Sequence, residues 1–496
     1  MIRQLSIYPD LLRLHSARPQ RYPFLLESVA HGTAHARYDI LFAFPGETLV
    51  LTDNNAPHAP DFLQTLDEGW MRESRLSYAG VQSDAEVALP FSGGWFIYLG
   101  YELAAQIEPR LVLPATHREE RPNRSELPIA FATRIPAAVI VDHHLQCTFL
   151  VAEDAHVALL DIMAQDLDHM RDDVASAKPL ASALPYTSSM PPAVNHVQED
   201  EPLRFLDGVQ RVKEYIVDGD VFQVNLSRLY QATLAPDTTY VQLYQDLRKH
   251  NPAPFAGIAL YNHDAQGRAG AKGSASAAGG RMPGAASAIL SSSPERLVRI
   301  HDNVIEVRPI AGTRPRGVGD EDAALSQALL AHPKERAEHV MLIDLERNDL
   351  GRVCVPGSVQ VDELMVLESY AHVHHIVSNV RGIKRSDVTP GQVIRAVFPG
   401  GTITGCPKVR CMEIIAELEQ VARGPYTGAM GYLNHNGNMD LNILIRTMLV
   451  ENDGVQFRVG AGIVADSVPD AELQETRAKA RGLLLALGES EARGRM

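Results

Sequence analysis

Hydrophobic and polar positions follow two different periods along this chain. Apolar residues that recur every three or four positions predict amphipathic helices at 201–218, 323–350, 407–420 and 471–487. Short runs of β-branched and aromatic residues predict strands at 38–44, 48–51, 137–142, 255–261, 288–293, 304–309, 428–433, 442–450 and 455–461. The strands do not alternate regularly with helices, which argues against a single parallel sheet of the Rossmann type. We therefore expect an α+β or mixed α/β fold with substantial antiparallel sheet.

Two segments lack either period. Residues 170–200 are rich in Pro, Ala and Ser, as is typical of a linker, and they divide an N-terminal part (1–169) from a C-terminal part (201–490). Residues 264–288 are low-complexity Gly, Ala and Ser between two predicted strands. We interpret them as an insertion into a hairpin, without chemistry of its own.

Composition and charge narrow the class of protein. The 496 residues are 45% hydrophobic and 22% charged, which is typical of a globular protein with a large core. The net charge of -15 argues against nucleic-acid binding. No apolar run reaches the ~18 residues that a membrane span needs, and no signal peptide is evident. With four cysteines, too few for a disulfide framework, we expect free thiols and a cytoplasmic location.

A glycine-rich run, FPGGTITGCPK at 398–408, leads directly into a predicted helix. Glycines let backbone N–H groups approach a ligand closely, and a helix N-terminus attracts anions. Thr402 and Thr404 add hydroxyls, and Lys408 adds a positive charge. The run matches neither the P-loop nor the dinucleotide-binding pattern, and an ordinary turn is the alternative interpretation.

Two predicted helices each carry a pair of glutamates three residues apart, Glu335 with Glu338 and Glu472 with Glu475. Residues at this spacing share a helix face, so each pair directs two carboxylates to one place. Carboxylate oxygens suit a hard cation such as Mg²⁺. A solvated helix face is the alternative.

Several charged or polar residues stand in apolar surroundings. Arg446 lies in the strand-like LNILIRT, where a guanidinium is costly to bury unless it is paired. It is a candidate for holding a carboxylate, with a solvent-facing strand end as the alternative. Lys479 shares a helix face with Glu475, and Tyr426 and Gly462 add further hydrogen-bond donors.

Three histidines occur close together at 372, 374 and 375. In a strand, alternation places only His372 and His374 on one face, which leaves His375 among apolar residues. His375 is either a satisfied core histidine or a general acid.

Together these segments resemble the chorismate-utilising enzymes, a family that includes the large subunits of anthranilate synthase and aminodeoxychorismate synthase, with isochorismate and salicylate synthases as relatives. The resemblance covers nearly all of 200–490, and its marks are GDVFQVNLS, SPERL, RPIAGTRPRG, ERAEHVMLIDLERNDLGR, HHIVS, FPGGTITGCPK, GNMDLNILIRT and GAGIVADS. The N-terminal part matches more weakly through PFLLES, RYDIL and FSGGWFIYLGYE. The resemblance implies an anthranilate synthase component I-like fold, in which helices flank large antiparallel sheets and the active site lies in the cleft between them.

The resemblance also implies roles for individual residues. Glu338 and Glu475 would bind Mg²⁺, supported by Glu335 and Glu472, and the metal would hold the ring carboxylate of chorismate. The implied substrate-binding residues are Arg446 and Tyr426 for the enolpyruvyl carboxylate, Lys479 and the Gly462 N–H for the substrate carboxylates, and Thr313 and Thr402 beside the ring. His375 would protonate the departing C4 hydroxyl.

Motif variants distinguish the members of the family. Gln223 stands where isochorismate and salicylate synthases place a lysine base, which sets those activities aside. Ala311, in PIAGT, is typical of anthranilate synthases, whereas Asn225, in QVNLS, together with RYDIL and SPERL resembles aminodeoxychorismate synthase. We therefore expect amination of chorismate at C4, with amination at C2 to give anthranilate as the alternative. Without the lysine of PIKGT, a covalent enzyme intermediate is in doubt.

The expected partner is a separate glutamine amidotransferase subunit that supplies ammonia, because no glutaminase module is visible in the sequence. The N-terminal LLES resembles the tryptophan pocket of the family, with Ser28 and the segment NPAPF at 251–255, which includes Pro252, as lining. Simple packing is the alternative there. A non-enzymatic alternative for the whole chain is an inactive scaffold that docks the amidotransferase.

Overall fold

The computed structural model describes residues 1–29, 37–54, 60–77, 89–114, 125–176, 194–263, 286–316, 333–369 and 373–489, together with 327, 329 and 331. The helices are α1 (Leu11–Ala17), α2 (Phe62–Ser77), α3 (Ala104–Ile107), α4 (Leu159–Ser176), α5 (Pro202–Val217), α6 (Tyr240–His250), α7 (Pro333–Gly351), α8 (Pro390–Val397), α9 (Lys408–Glu419) and α10 (Pro469–Ala486). The strands are β1 (Ile2–Leu5), β2 (Phe24–Glu27), β3 (Tyr38–Ala43), β4 (Thr48–Leu51), β5 (Gly94–Leu99), β6 (Ala130–Ile135), β7 (Ala137–Asp142), β8 (Cys147–Ala152), β9 (Val194–Glu199), β10 (Gln223–Leu234), β11 (Phe255–Asn262), β12 (Ala286–Ser293), β13 (Arg296–His301), β14 (Val304–Val307), β15 (Ile310–Pro315), β16 (Gln360–Ser369), β17 (Val373–Ile383), β18 (Gly405–Cys406), β19 (Ala429–Asn434), β20 (Met439–Ile443), β21 (Thr447–Glu451) and β22 (Gly454–Ile463).

Within the described residues the strands form two sheets. The larger has twelve strands in the order β1-β8-β7-β3-β2-β11-β12-β21-β22-β10-β18, with β9 paired to β10. The second has ten, in the order β15-β17-β14-β13-β20-β19-β5-β6-β4, with β16 paired to β17. The long pairs at the centre of each sheet are antiparallel, such as β10 with β22 and β19 with β20. This confirms the predicted mixed fold with large antiparallel sheets.

Strands from both sides of the predicted linker share each sheet. In the larger sheet β2 pairs with β11, and in the second sheet β5 pairs with β19. The two parts of the chain therefore belong to one folded unit rather than to two independently packed domains. The predicted linker is also too long, because α4 continues to Ser176 and β9 begins at Val194. Residues 177–193 lie outside the described part of the chain.

The two sheets pack face to face around an aromatic core. Phe24 of β2 and Phe96 of β5 stack with their ring centroids 4.0 Å apart, and Phe42 and Phe131 belong to the same buried cluster. Helices cover the outer faces: α1, α4, α6 and α10 share a core with the larger sheet, and α2, α7 and α8 share one with the second. Burial of both faces explains why many strands read as continuous apolar runs rather than alternating ones.

The strand predicted at 442–450 is two strands in different sheets. β20 ends at Ile443 in the second sheet, and β21 begins at Thr447 in the larger one. Between them the backbone turns at Arg446, whose φ of 52° is in the left-handed region. The prediction was wrong because the apolar pattern continues through the crossing, where Leu444 is fully buried. A crossing between two sheets leaves no mark in hydrophobicity alone.

The remaining predicted elements are present with small shifts at their ends. The helix predicted at 323–350 corresponds to α7, and residues 327, 329 and 331 before it are also helical. β11 and β12 form an antiparallel hairpin, and the second strand begins at Ala286, inside the predicted insertion. Residues 264–285 lie outside the described part. None of the described helices is both long and apolar enough to cross a membrane.

Acid is expected to destabilise the fold through His15 of α1. The ring is fully buried between the Tyr22 carbonyl (2.7 Å from Nδ1) and the Tyr240 hydroxyl (3.0 Å from Nε2), and burial lowers its pKa to about 4. The depressed pKa stabilises the fold above pH ~6.5, the unfolded value, and this contribution is lost as the pH falls toward 4. The expected loss is about 3 kcal/mol.

The measurement is urea unfolding from pH 7.5 to 4.5 of the parent chain and of His15→Gln. The variant lacks the titrating ring, so the difference between the two unfolding free energies should shrink as the pH falls. A difference that stays constant across this range would contradict the assignment.

Candidate active site

The chain crossing between the sheets places a charged side chain in the interior. Arg446 is partly buried, and its Nη1 lies 3.4 Å from Asn251 Oδ1. Among the described residues no carboxylate forms an ion pair with Arg446, and burial lowers the pKa of its guanidinium. Because an unneutralised guanidinium in the interior is costly, this site is suited to an anionic group from outside the chain.

Two polar side chains meet at Gly460 of β22, and one of them, Tyr426, is an electrostatic neighbour of Arg446. A Cβ at residue 460 would lie 2.6 Å from the Tyr426 hydroxyl, so the hydroxyl occupies the space that a side chain would need. Lys479 Nζ of α10 donates to the Gly460 carbonyl at 3.0 Å and pairs with Glu475 at 2.7 Å. Burial raises the pKa of Tyr426 to about 12, so its hydroxyl remains a hydrogen-bond donor at neutral pH.

The neighbouring Gly462 makes room for Gln223 of β10. A Cβ at residue 462 would overlap the Gln223 amide nitrogen. That nitrogen donates to Glu338 Oε1 of α7 at 2.6 Å. One turn earlier on α7, the Glu335 carboxylate lies against Gly312, which has a φ of +69°. The larger sheet and α7 therefore meet at this glutamine.

His375 of β17 is the predicted site residue that the second sheet contributes. It is buried, its ring hydrogen-bonds to the Gly312 backbone, and its strand pairs with β15 at Thr313. Burial, reinforced by the positive charge of Arg446, lowers the pKa of His375 to about 4. The ring is therefore neutral at pH 7, which does not favour the predicted role of proton donor in the unliganded chain.

A residue with a better matched pKa is Glu295, which the sequence reasoning passed over. It lies between β12 and β13, fully buried, and its Oε1 accepts a hydrogen bond from Thr402 Oγ1 at 2.6 Å. Burial raises the pKa of Glu295 to about 7, and the opposing influences are Thr402 and the charge of Lys479. A carboxyl group that is half protonated near neutral pH is suited to proton transfer. The signal for Glu295 in the sequence is its place in SPERL, where an acidic residue stands between two strands that are buried in the fold.

The glycine-rich run packs tightly and does not present its lysine to a ligand. Lys408 Nζ lies 2.6 Å from the buried Asp349 carboxylate and 3.1 Å from the Val397 carbonyl. A Cβ at Gly401 would overlap Leu345 of α7. The prediction that this lysine contributes to an anion site was therefore wrong, because its charge is already neutralised in the core. The run reaches the site through Thr402.

Some of the remaining predicted site residues belong to the described part of the chain, and others do not. Ala311 is buried on β15, and the register between β15 and β17 shifts just after it. The side chain of Thr313 and all of His372 lie outside the described residues. Thr402 contacts Glu295, and Gln223 lies against Gly462.

The carboxylates of the predicted metal site are the next feature of this region. No three His, Cys, Asp or Glu side chains of the described residues are grouped closely enough to hold a metal ion by themselves. Glu338 is engaged by Gln223 and Glu475 by Lys479, and Glu472 lies half-buried one turn before Glu475. These carboxylates therefore fit a cation only if water and substrate oxygens supply the rest of its ligands. Mg²⁺ is commonly held in this way, by one or two protein carboxylates together with waters and substrate oxygens.

A separate cavity of about 430 Å³ includes part of the predicted tryptophan pocket. Ser28 lines it, and its hydroxyl donates to the Pro254 carbonyl at 3.2 Å. Pro254 and Phe255 of the predicted segment also line the cavity, whereas Pro252 does not. The cavity also contains Glu27, whose pKa burial raises to about 8.

Comparison with known proteins identifies the family. The family model described as chorismate binding enzyme matches residues 23–485. The chain belongs to this family. The resemblance read from the sequence motifs is thereby confirmed.

Individual relatives carry two different names. Anthranilate synthase component 1 of Synechocystis sp. is 37% identical over 505 residues, covering 94% of this chain and 91% of the relative. Aminodeoxychorismate synthase component 1 of Bacillus subtilis is 36% identical over 484 residues, covering 96% and 93%. The crystal structure of anthranilate synthase component I from Streptococcus pneumoniae superposes with a TM-score of 0.70 at 29% identity, covering 91% of this chain and 93% of that one. The comparisons therefore establish the family and the fold, at similar identities to both kinds of synthase.

Proposed function

We propose that the chain is aminodeoxychorismate synthase component I, which replaces the C4 hydroxyl of chorismate with an amino group to give 4-amino-4-deoxychorismate for 4-aminobenzoate and folate synthesis. The observation that carries the proposal is the Arg446 guanidinium, which pairs with no described carboxylate and has Tyr426, whose hydroxyl lies at Gly460, as an electrostatic neighbour. Chorismate is a dianion, so it needs positive charge and fixed donors in the interior.

The proposed binding mode follows from these donors. Arg446 and the Tyr426 hydroxyl hold the enolpyruvyl carboxylate, and Lys479, which donates to the Gly460 carbonyl, contributes positive charge. Glu338 and Glu475, supported by Glu335 and Glu472, are the candidates to hold Mg²⁺, which supplies positive charge to the ring carboxylate when it is bound.

Glu295 is the proposed proton donor in the reaction. The C4 hydroxyl leaves poorly as hydroxide, so it has to take up a proton as the C–O bond breaks and depart as water. Ammonia provides the electron pair of the new C–N bond and then loses a proton to the Glu295 carboxylate, which restores the acid. Glu295 is buried and has a pKa of about 7, so it has a proton to give at neutral pH, whereas the neutral His375 ring is suited to orienting the substrate by a hydrogen bond.

Amination at C2, which gives anthranilate, is the second candidate. Ala311 favours it, because the position lacks the lysine that would form a covalent intermediate, and several relatives are named anthranilate synthase component 1. Asn225 and the motifs RYDIL and SPERL support amination at C4. In either reaction we propose that ammonia comes from a separate glutamine amidotransferase subunit, in line with relatives named as component 1.

Product analysis tests the proposal directly. The purified chain is incubated with chorismate, MgCl₂ and ammonium chloride, and the products are separated by liquid chromatography with mass detection, with and without an added aminodeoxychorismate lyase. We expect a non-aromatic amine that becomes 4-aminobenzoate only with the lyase, and loss of this product in excess EDTA with recovery on added Mg²⁺.

The other outcomes separate the alternatives. Anthranilate formed without the lyase would assign amination at C2. Unchanged chorismate, even when a glutamine amidotransferase subunit and glutamine are supplied, would favour the inactive scaffold. Full activity in EDTA would remove Mg²⁺ from the mechanism.

A further inference from the structure

Two amide oxygens in the site lack a hydrogen-bond donor. Gln223 Oε1 and Asn225 Oδ1 are both shielded from solvent, and neither has a partner among the described residues. The orientation of Gln223 is set by Glu338: since its nitrogen donates to that carboxylate, its oxygen is the free acceptor. A buried acceptor without a donor costs about 1–3 kcal/mol, so a pair of them indicates a missing ligand that donates.

The two oxygens lie on the same face of one strand. Residues i and i+2 of a strand point to the same side, about 6.5–7 Å apart along the backbone, which one small donor between the side chains can bridge. Gly462 and Gly460 of the paired strand leave the space open, and a Cβ at residue 460 would lie 2.7 Å from Asn225 Oδ1. The Tyr426 hydroxyl borders the same space.

The backbone of Asn225 is held firmly from both sides. Its N–H donates to the Thr404 carbonyl at 2.9 Å, and its carbonyl accepts from Arg423 Nη2 at 2.7 Å. Arg423 is in turn anchored by the buried Glu419 carboxylate at 2.6 Å. The side chain therefore projects from a rigid position, as a binding residue requires.

The chemistry of the missing ligand follows from the acceptors. Chorismate carries carboxylates and an ether oxygen, which are themselves acceptors, and a single hydroxyl that donates one hydrogen. Ammonia offers three hydrogens and ammonium four, so a nitrogen nucleophile suits two amide oxygens and the neighbouring Glu338 carboxylate. We propose that Asn225 Oδ1, together with Gln223 Oε1, holds the ammonia that attacks the substrate. This inference rests on the proposed amination of chorismate.

The test measures the two substrates separately in Asn225→Leu, which keeps the size of the side chain and removes the acceptor. With ammonium chloride as nitrogen source at fixed pH and saturating chorismate, we expect the KM for ammonium to rise about tenfold, as loss of one hydrogen bond predicts. The KM for chorismate should change less than twofold. Asn225→Asp retains an acceptor and should keep the ammonium KM within about threefold of the parent.

Gln231→Leu is the matched control, because it removes an amide from the same strand about 20 Å further along. It should leave both KM values unchanged. If Asn225→Leu fails to fold by circular dichroism, Asn225→Ala replaces it with the same expectation.

Two results would overturn the inference while leaving the proposed function intact. One is an unchanged KM for ammonium in a folded Asn225→Leu that still aminates chorismate. The other is an equal rise in both KM values, which would place Asn225 on the chorismate hydroxyl. A parent chain that forms no aminated product with ammonium would overturn the proposed function and this inference together.

Discussion

Arg446→Gln raises the KM for chorismate by about 100-fold, the largest effect on binding that we expect from a single substitution in this chain. A charge-assisted bond between a guanidinium and a carboxylate contributes about 3 kcal/mol when water is excluded, and each 1.4 kcal/mol is a factor of ten. Since Arg446 pairs with no described carboxylate, its charge is available to the substrate. Steady-state kinetics with varied chorismate and saturating ammonium is the measurement.

The same substitution carries an unusual expectation for stability. Removing a buried charge that lacks an acidic partner relieves a desolvation cost, so the melting temperature of Arg446→Gln should equal or exceed that of the parent. Gln is compatible with the left-handed backbone at this position to the same extent as Arg, because neither is β-branched.

Arg134→Gln is the matched control for Arg446. Arg134 is equally interior but pairs with Glu153 at 2.6 Å and Glu73 at 3.3 Å, away from the site. It should lose stability and keep the chorismate KM of the parent, which is the reverse of the pattern at Arg446. Parental chorismate affinity in Arg446→Gln would remove the observation on which the proposed function depends.

Glu295→Gln lowers kcat by about 10²–10⁴-fold, the range typical of a lost general acid. The substitution preserves the shape of the side chain and its place beside Thr402, so the KM for chorismate should change little. A fall in kcat without a matching rise in KM distinguishes proton transfer from substrate binding.

The pH dependence supplies a second readout for Glu295. Its pKa of about 7 means that the protonated form, which is the active one, is lost as the pH rises through neutrality. At a constant concentration of unprotonated ammonia, the rate of the parent should therefore fall over this range, and the residual rate of Glu295→Gln should not. The negative charge of a substrate bound nearby raises the pKa of Glu295 further, so the fall in rate then occurs at higher pH.

Asp67→Asn is the control for a buried acid outside the site. Asp67 also has a raised pKa through burial, but its carboxylate accepts from the Gly391 N–H at 2.8 Å at the junction of α2 and α8. Its kcat should equal that of the parent. If Glu295→Gln retains a kcat within tenfold of the parent, another group is the proton donor, and His375 becomes the first candidate.

Local signals in the sequence were enough to predict four of the described helices, part of the strands and the family. The long amphipathic helices were predictable because a 3.6-residue period over many turns is a strong local signal, and α5, α9 and α10 lie within two residues of their predicted ends. The motifs around Arg446, Tyr426 and Lys479 were also local enough to read directly. In the fold, the Tyr426 hydroxyl and the Lys479 ammonium group both lie at Gly460.

Whether a buried charge is neutralised depends on residues that are distant in the sequence, so it could be read only from the fold. Lys408 and Arg446 both stand as cations in apolar surroundings, but Lys408 meets Asp349, 59 residues away in sequence, whereas Arg446 meets no described carboxylate. The crossing of the chain between the sheets at Arg446 could not be predicted either, because the strands on both sides of it are apolar.

The protonation states of the site and its unfilled acceptors were likewise beyond the sequence. The pKa of Glu295 rises and that of His375 falls because each is buried by strands distant in sequence, and in His375 the charge of Arg446 adds to the shift. Asn225 Oδ1 lacks a donor at a place where β22 has a glycine, Gly460, instead of a side chain. Periodicity and motifs report local preference, whereas desolvation and hydrogen-bond satisfaction depend on which distant groups the fold brings together.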